Sequence, residues 1–249
     1  MTKVSQFAII ALAIGFTSAI SAGSFTYSQQ VVSGACNIFG AGLTTPPDPG
    51  GTGADYSHNY GGGVLPPGFA LPPNPGVLTF ASVTGRISVN DYGPDDLNDP
   101  DGVGNNTTSW EVAGAGSLSG IVAPDQGWLV GVFLSSGGPS GTAPPMLDFY
   151  SAGTSFTTLS PQMDQTFFVG DGLTGDGTGT VQNFVVPAGA TQLFLGIADS
   201  NNWGGPTGHY DDNDGFFQAT FTITSVPEPG CLGIISVGAF AFLRRRGCH

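Results

Sequence analysis

Basic residues are almost missing from this chain. It carries five lysines and arginines in 249 residues, and four of them, Lys3, Arg244, Arg245 and Arg246, stand at the extreme ends. Between Gly23 and Gly230 there are eighteen acids against one base, Arg86, a local balance of −17. Nucleic-acid binding rests on Lys and Arg neutralising phosphate, so that class of partner is excluded. Cysteine is scarce as well: Cys36, Cys231 and Cys248 form no CxxC spacing and no disulfide framework, so the fold must hold by packing. No G-x-S-x-G is present, and only His58 and His209 precede the terminal His249. Nucleophilic catalysis therefore lacks its parts, and the chain is expected not to be an enzyme. Paired carboxylates acting on an exopolysaccharide remain an alternative, because their separation is invisible in sequence.

Helix-favouring texture is also lacking. Glycine is 41 and proline 19, while charged residues are 9%. Glycine and proline weaken helices but serve the joints between strands. Hydrophobic residues at 40% and aromatics at 11% are enough for a core. The expected fold class is all-β, a β-sandwich or jelly roll, with a short signal helix at the N-terminus and a short apolar helix at the C-terminus.

The strands are spelled out from Val77 onward. "VLTFASVTGRISVN" alternates, with Leu78, Phe80 and Ser82 on one side and Val77, Thr79, Ala81 and Val83 on the other. "WEVAGAGSLSGIVAP", "GWLVGVFLSS", "PPMLDFYS", "SFTTLS" and "QTFFVGDG" follow as short strands between turns. "VQNFVVPAGATQLFLGIADS" gives two strands around a Pro-Ala-Gly corner, and "GFFQATFTIT" closes the domain. The expected division is a signal peptide at 1–22, a Gly/Pro-rich segment at 23–76, a β domain at 77–225 and a tail at 226–249.

The two ends read as addresses. "MTKVSQFAIIALAIGFTSAISAG" has a lysine, an apolar run and then small residues, the layout of a secretory signal. The tail "VPEPGCLGIISVGAFAFLRRRGCH" has Val226, Pro227, Glu228 and Pro229, then an apolar stretch, then Arg244, Arg245 and Arg246. This tail resembles the PEP-CTERM sorting signal of Gram-negative bacteria. The resemblance implies processing by an exosortase, transient membrane contact through the tail, and delivery to the cell surface or the extracellular matrix.

Acidic loops carry the candidate chemistry. "GHYDDNDGFF" puts three aspartates and an asparagine into four positions with no cation beside them. Asp199 ends the strand "FLGIAD", and a loop returning to the last strand brings Asp212 and Asn213 beside it. Calcium takes six to eight such oxygens. A solvated acidic turn is the competing account, since Asp and Asn favour turns in any case. The spacing is not that of an EF-hand, because Tyr210 and Phe221 fall where its first and last ligands belong. "GDGLTGDG" contains G-x-G-x-x-G after a strand, but no helix follows to receive a phosphate, so it is a turn. Asp171 and Asp176 there form a weaker second acidic pair.

The segment from Val77 to Thr224 is similar to the PA-I-type galactophilic lectin domain, a calcium-dependent β-sandwich. The similarity is carried by "VTGRISVNDYGPDD", "GSLSGIVAPDQGWLVGVF" and "VPAGATQLFLGIADS…GHYDDNDGFFQATFTI". It implies calcium ligation by the side chains of Asp199, Asp212 and Asn213 and by the carbonyls of Tyr92 and His209. It also implies sugar binding beside the ion. Asp99, in the matching loop, and Trp203 are the candidates for that contact, with extracellular polysaccharide as the partner. A matrix protein without sugar binding is the alternative.

Overall fold

The computed structural model describes residues 23–48, 61–89, 97–104, 110–200 and 204–226. The expected signal segment, the tail beyond Val226 and the two helices expected there lie outside them. The described chain folds as an all-β sandwich, as its composition requires. No helix among the described residues is long and apolar enough to cross a membrane.

The strands, in chain order, are β1 (Ser24–Ser33), β2 (Gly68–Ala70), β3 (Pro75–Ser88), β4 (Trp110–Ala113), β5 (Ile121–Ala123), β6 (Leu129–Leu134), β7 (Leu147–Asp148), β8 (Thr158–Leu159), β9 (Phe167–Phe168), β10 (Leu173–Gly175), β11 (Thr178–Val181), β12 (Asn183–Val185), β13 (Gln192–Ile197), β14 (Gly204–Pro206) and β15 (Asp214–Ser225). The first sheet runs β1-β15-β3-β12-β8, the second β2-β13-β6-β9 and the third β14-β4-β5-β7, while β10 and β11 pair alone.

The second sheet is the middle layer, because each of its faces fills a core. Leu129, Phe133, Leu193 and Leu195 pack toward the first sheet, against Leu78, Phe80, Phe217 and Phe221. Val130, Val132 and Leu134 pack toward the third, against Val112, Ile121 and Ala123. A strand buried on both faces reads as an unbroken apolar run, which is why "LVGVFL" is buried throughout. Gly131 is part of that fit, since a Cβ there would stand 2.6 Å from the Phe167 ring. "FFQATFTIT" keeps strict alternation, because β15 faces a core on one side only: Phe217, Ala219, Phe221 and Ile223 are buried.

Three expectations need correction. β3 does not alternate throughout: its register with β15 slips at Ala81, between the pairs Phe80–Phe221 and Ser82–Thr220. That one-residue bulge turns Val83 into the core, opposite to the side the pattern assigned it. In "PPMLDFYS" only Leu147 and Asp148 are strand. Asp148 then caps a single helical turn, Phe149–Ala152, accepting from the Ser151 amide at 2.9 Å. Third, the compact body runs from Gly23 to Val226 rather than starting at 77. Strand β1 lies beside β15 along most of its length, and Ile38 and Phe39 are buried in the second core.

Candidate metal centre

Three of the residues singled out in the acidic loops meet at one corner. Asp199 follows the end of β13. The chain returns through β14 and a 3-10 turn, Tyr210–Asp212, which delivers Asp212 and Asn213 to the first residue of β15. His209 starts that turn in the left-handed conformation, with φ 69° and ψ 29°. Its ring is half-buried, and burial lowers its pKa.

Tyr210 is the post around which the corner is built. Its ring is fully buried. Its hydroxyl accepts from the Asp199 amide at 2.9 Å and donates to the Ile197 carbonyl at 3.0 Å. Burial pushes the phenol far up, and the Asp199 charge pushes in the same direction. Gly63 must be glycine to make room, since a Cβ there would come within 2.4 Å of Tyr210 Cβ and φ is +69°.

The N-terminal part of the chain supplies the rest of the frame. Asn213 Nδ2 donates to the Gly34 carbonyl at 3.0 Å. The Gly61 amide donates to Asp211 Oδ2 at 3.1 Å, and the Tyr210 amide donates to the Gly61 carbonyl at 3.2 Å. Asn37, fully buried, donates to the carbonyls of Gly62 and Pro47. Thr207 Oγ1 lies 3.3 Å from Asn37 Oδ1 and 3.2 Å from the Tyr210 oxygen.

The electrostatics are unfavourable as they stand. The Asp199 residue is partly buried with its Oδ2 shielded from water, and that burial raises its pKa well above the usual range. Asp212 raises it further, while the Asn213 amide and the Ser200 N–H oppose the rise. Ser200 donates to Asp199 Oδ1 at 2.7 Å. Asp199 Oδ2 and Asn213 Oδ1 are shielded from water and accept no hydrogen bond, and Asp212 Oδ1 is shielded in the same way. An enclosed oxygen left without a donor costs about 1–3 kcal/mol, more when charged. A cavity of about 10 Å³, lined by Val112, Gln126, Gly127, Ala198, Asp199 and Ser200, adjoins the Asp199 side chain. It has room for one water-sized occupant. Carboxylate and amide oxygens are the hard ligands a divalent cation takes, so the shielded oxygens of Asp199 and Asn213, with Asp212 beside them, fit calcium.

Of the other candidates, Tyr92 and Trp203 lie outside the described residues, as do residues 227–229 and 244–246 of the sorting motif. Val226 is the last described residue, its amide held by the Asn74 carbonyl at 2.8 Å. Asp99 joins a different group. One oxygen each of Asp99, Asp101 and Asp176 lies within 4.8 Å of the others. Asp99 Oδ1 accepts from the amides of Asp101 and Val103. Asp171 is buried there, its oxygens taken by the amides of Leu173 and Gly177, and its own amide donates to Asp101 Oδ1 at 3.2 Å. Burial, then the repulsion of Asp171, pushes the Asp101 carboxyl up to about 7. Sequence reasoning passed over Asp101, although "DPDG" already marks a tight acidic turn. "GDGLTGDG" forms the β10–β11 hairpin with no helix after it, as expected for a turn.

No protein-family model, no curated protein and no solved structure matches this chain.

Proposed function

We propose that this chain is an exported surface or extracellular-matrix protein whose β-sandwich is locked by a calcium ion at Asp199, Asp212 and Asn213. The observation that carries this reading is the convergence of shielded side-chain oxygens of these three residues on one corner. Calcium would take the shielded oxygens of Asp199 and Asn213 and, with Asp212 beside them, offset the negative charge gathered there. The His209 carbonyl and that of Tyr92 are the remaining ligands the lectin resemblance suggests. Export rests on the signal layout at the N-terminus and on the PEP-CTERM-like tail, which makes an exosortase the processing partner.

The role is non-catalytic in this reading. Asp199 Oδ2 is shielded from water and Oδ1 is taken by the Ser200 amide, so in this reading the carboxylate serves the fold rather than a substrate.

Calorimetry of the secreted body, residues 23–226, with calcium and with chelator tests the metal. An ion bound only by the folded state adds about 2.7 kcal/mol at a hundredfold excess over Kd. Identical melting in both buffers would overturn the reading.

A further inference from the structure

The first sheet has one face in the core and one face outward, and the outward face differs from the rest of the surface. On β15 the outward positions are Phe216, Gln218, Thr220, Thr222 and Thr224, since the residues between them are buried. Thr222 stands between Thr26 on β1 and Thr79 on β3. Their neighbours in the ladder are Ser, Thr or Val, with Arg86 beside Phe216 at one end. No carboxylate occurs among the residues from Phe216 to Thr224 or their partners across the ladder. The same chain carries eighteen acids, and those described lie in loops, at strand ends or on the third sheet.

The hydroxyls are held in place. Thr26 Oγ1 and Thr222 Oγ1 are 2.9 Å apart. Thr220 Oγ1 accepts from the Gln29 amide at 3.0 Å, and Thr224 Oγ1 accepts from the Val77 amide at 3.2 Å. Strand geometry sets the array at about 4.8 Å across and about 6.8 Å along. Each threonine offers a hydroxyl beside a methyl, the mixture that the edge and face of a sugar ring also offer. Phe216, 52% exposed, adds an aromatic surface at the end of the array, with Arg86 next to it.

We infer that this face docks an uncharged, extended polysaccharide chain. Charge selects the occupant. An anionic polymer would meet one arginine on a strongly acidic protein and be repelled. A cationic one would go to the acidic loops instead. An uncharged, hydroxyl-rich chain matches this carboxylate-free face. A protein partner fits less well, because protein interfaces concentrate their energy in anchor residues seated in pockets, and neither described cavity, of about 330 Å³ and 10 Å³, is lined by this face. The inference takes its setting from the exported-matrix reading but needs no calcium.

The test is co-sedimentation of the body, residues 23–226, with amorphous cellulose, run in calcium and in chelator below the melting temperature. Alginate gels serve as the anionic arm, and analytical ultracentrifugation reports self-association. Retention on cellulose in both buffers, with at least a tenfold loss for Thr26→Asp and for Thr222→Asp, is expected. Thr26 is an exposed edge position, so its variant keeps the test valid if Thr222→Asp melts early. Loss of retention in chelator alone would place binding at the metal corner and overturn this site while sparing the metal. No retention by the wild type, stronger retention on alginate, or undiminished retention by both variants would overturn it. Dimerisation abolished by the same substitutions would do so too, since a second copy would then be the occupant.

Discussion

The side-chain amide of Asn213 donates to the main-chain oxygen of Gly34 at 3.0 Å, across 179 residues of chain. One side chain thus ties the end of β1 to the start of β15. Nδ2 is committed to donors' work, which leaves Oδ1 as the shielded oxygen of the corner. Asn213→Asp removes that donor and adds a third carboxylate. In chelator the variant should lose about 2–4 kcal/mol. That is roughly 5–15 °C in Tm for a chain of this size. Calcium should restore the variant by more than it stabilises the wild type, because the ion gains a charged ligand. Thermal melts over a calcium series check both parts. Equal calcium gains in variant and wild type would remove Asn213 from the ligand set.

Asp199 gives a sharper sign. Without an ion its buried carboxylate is a cost, and with one it is a ligand. Asp199→Asn should therefore hold or raise Tm in chelator and lower it in saturating calcium. The change between the two buffers should be about 2–3 kcal/mol, the whole of the metal's contribution at a hundredfold excess over Kd. A variant that loses the same stability in both buffers would show Asp199 acting through packing alone.

Much of this fold was legible because the first and second sheets impose opposite patterns. β15 has one wet face, so "FFQATFTIT" alternates; β6 has none, so "LVGVFL" does not. The Asp199, Asp212 and Asn213 corner was legible for a topological reason: consecutive strand ends return to one place. β1 was hidden by its own irregularity. Gln29 takes φ 51° and the ladder slips between Tyr27 and Gln30, so the side chains change face midway and no period survives. Residues 34–48 and 61–67 are held by isolated bridges, such as Cys36–Val64 and Asn37–Ile197, and by the Asn37 side chain. Such links leave no periodic signal, and the Gly/Pro texture there resembles a linker. The company Asp99 keeps with Asp101 and Asp176 was not legible, because loop register decides it and register cannot be read from residue type.

Tyr210 predicts a loss that calcium should not repair. Phenylalanine in its place fills the same space but leaves the Asp199 amide without its acceptor and the Ile197 carbonyl without its donor. Two buried main-chain groups left unmatched cost about 2–4 kcal/mol. Tyr210→Phe should therefore melt lower by a similar amount in calcium and in chelator. A loss that vanishes in calcium would mean the hydroxyl acts only by positioning the ion site.

Asp101 makes the fold sensitive to pH. Its carboxyl is pushed up to about 7 from 3.8, first by burial and then by Asp171. Between those two values the folded protein holds a proton that the unfolded chain has released. The associated stability is full below pH 3.8, falls as pH rises, and is gone above about 7. Asp101→Asn keeps an oxygen for the Asp171 amide and removes the charge. In chelator it should be more stable than the wild type at pH 8 by about 1–2 kcal/mol, allowing for the screening of a partly exposed group. The two proteins should converge as the pH falls to 4. Guanidinium unfolding at pH 4.5, 6 and 8 measures the difference. A gap that stays constant across the three would mean that the buried charge of Asp101 is not what the neutral fold must carry.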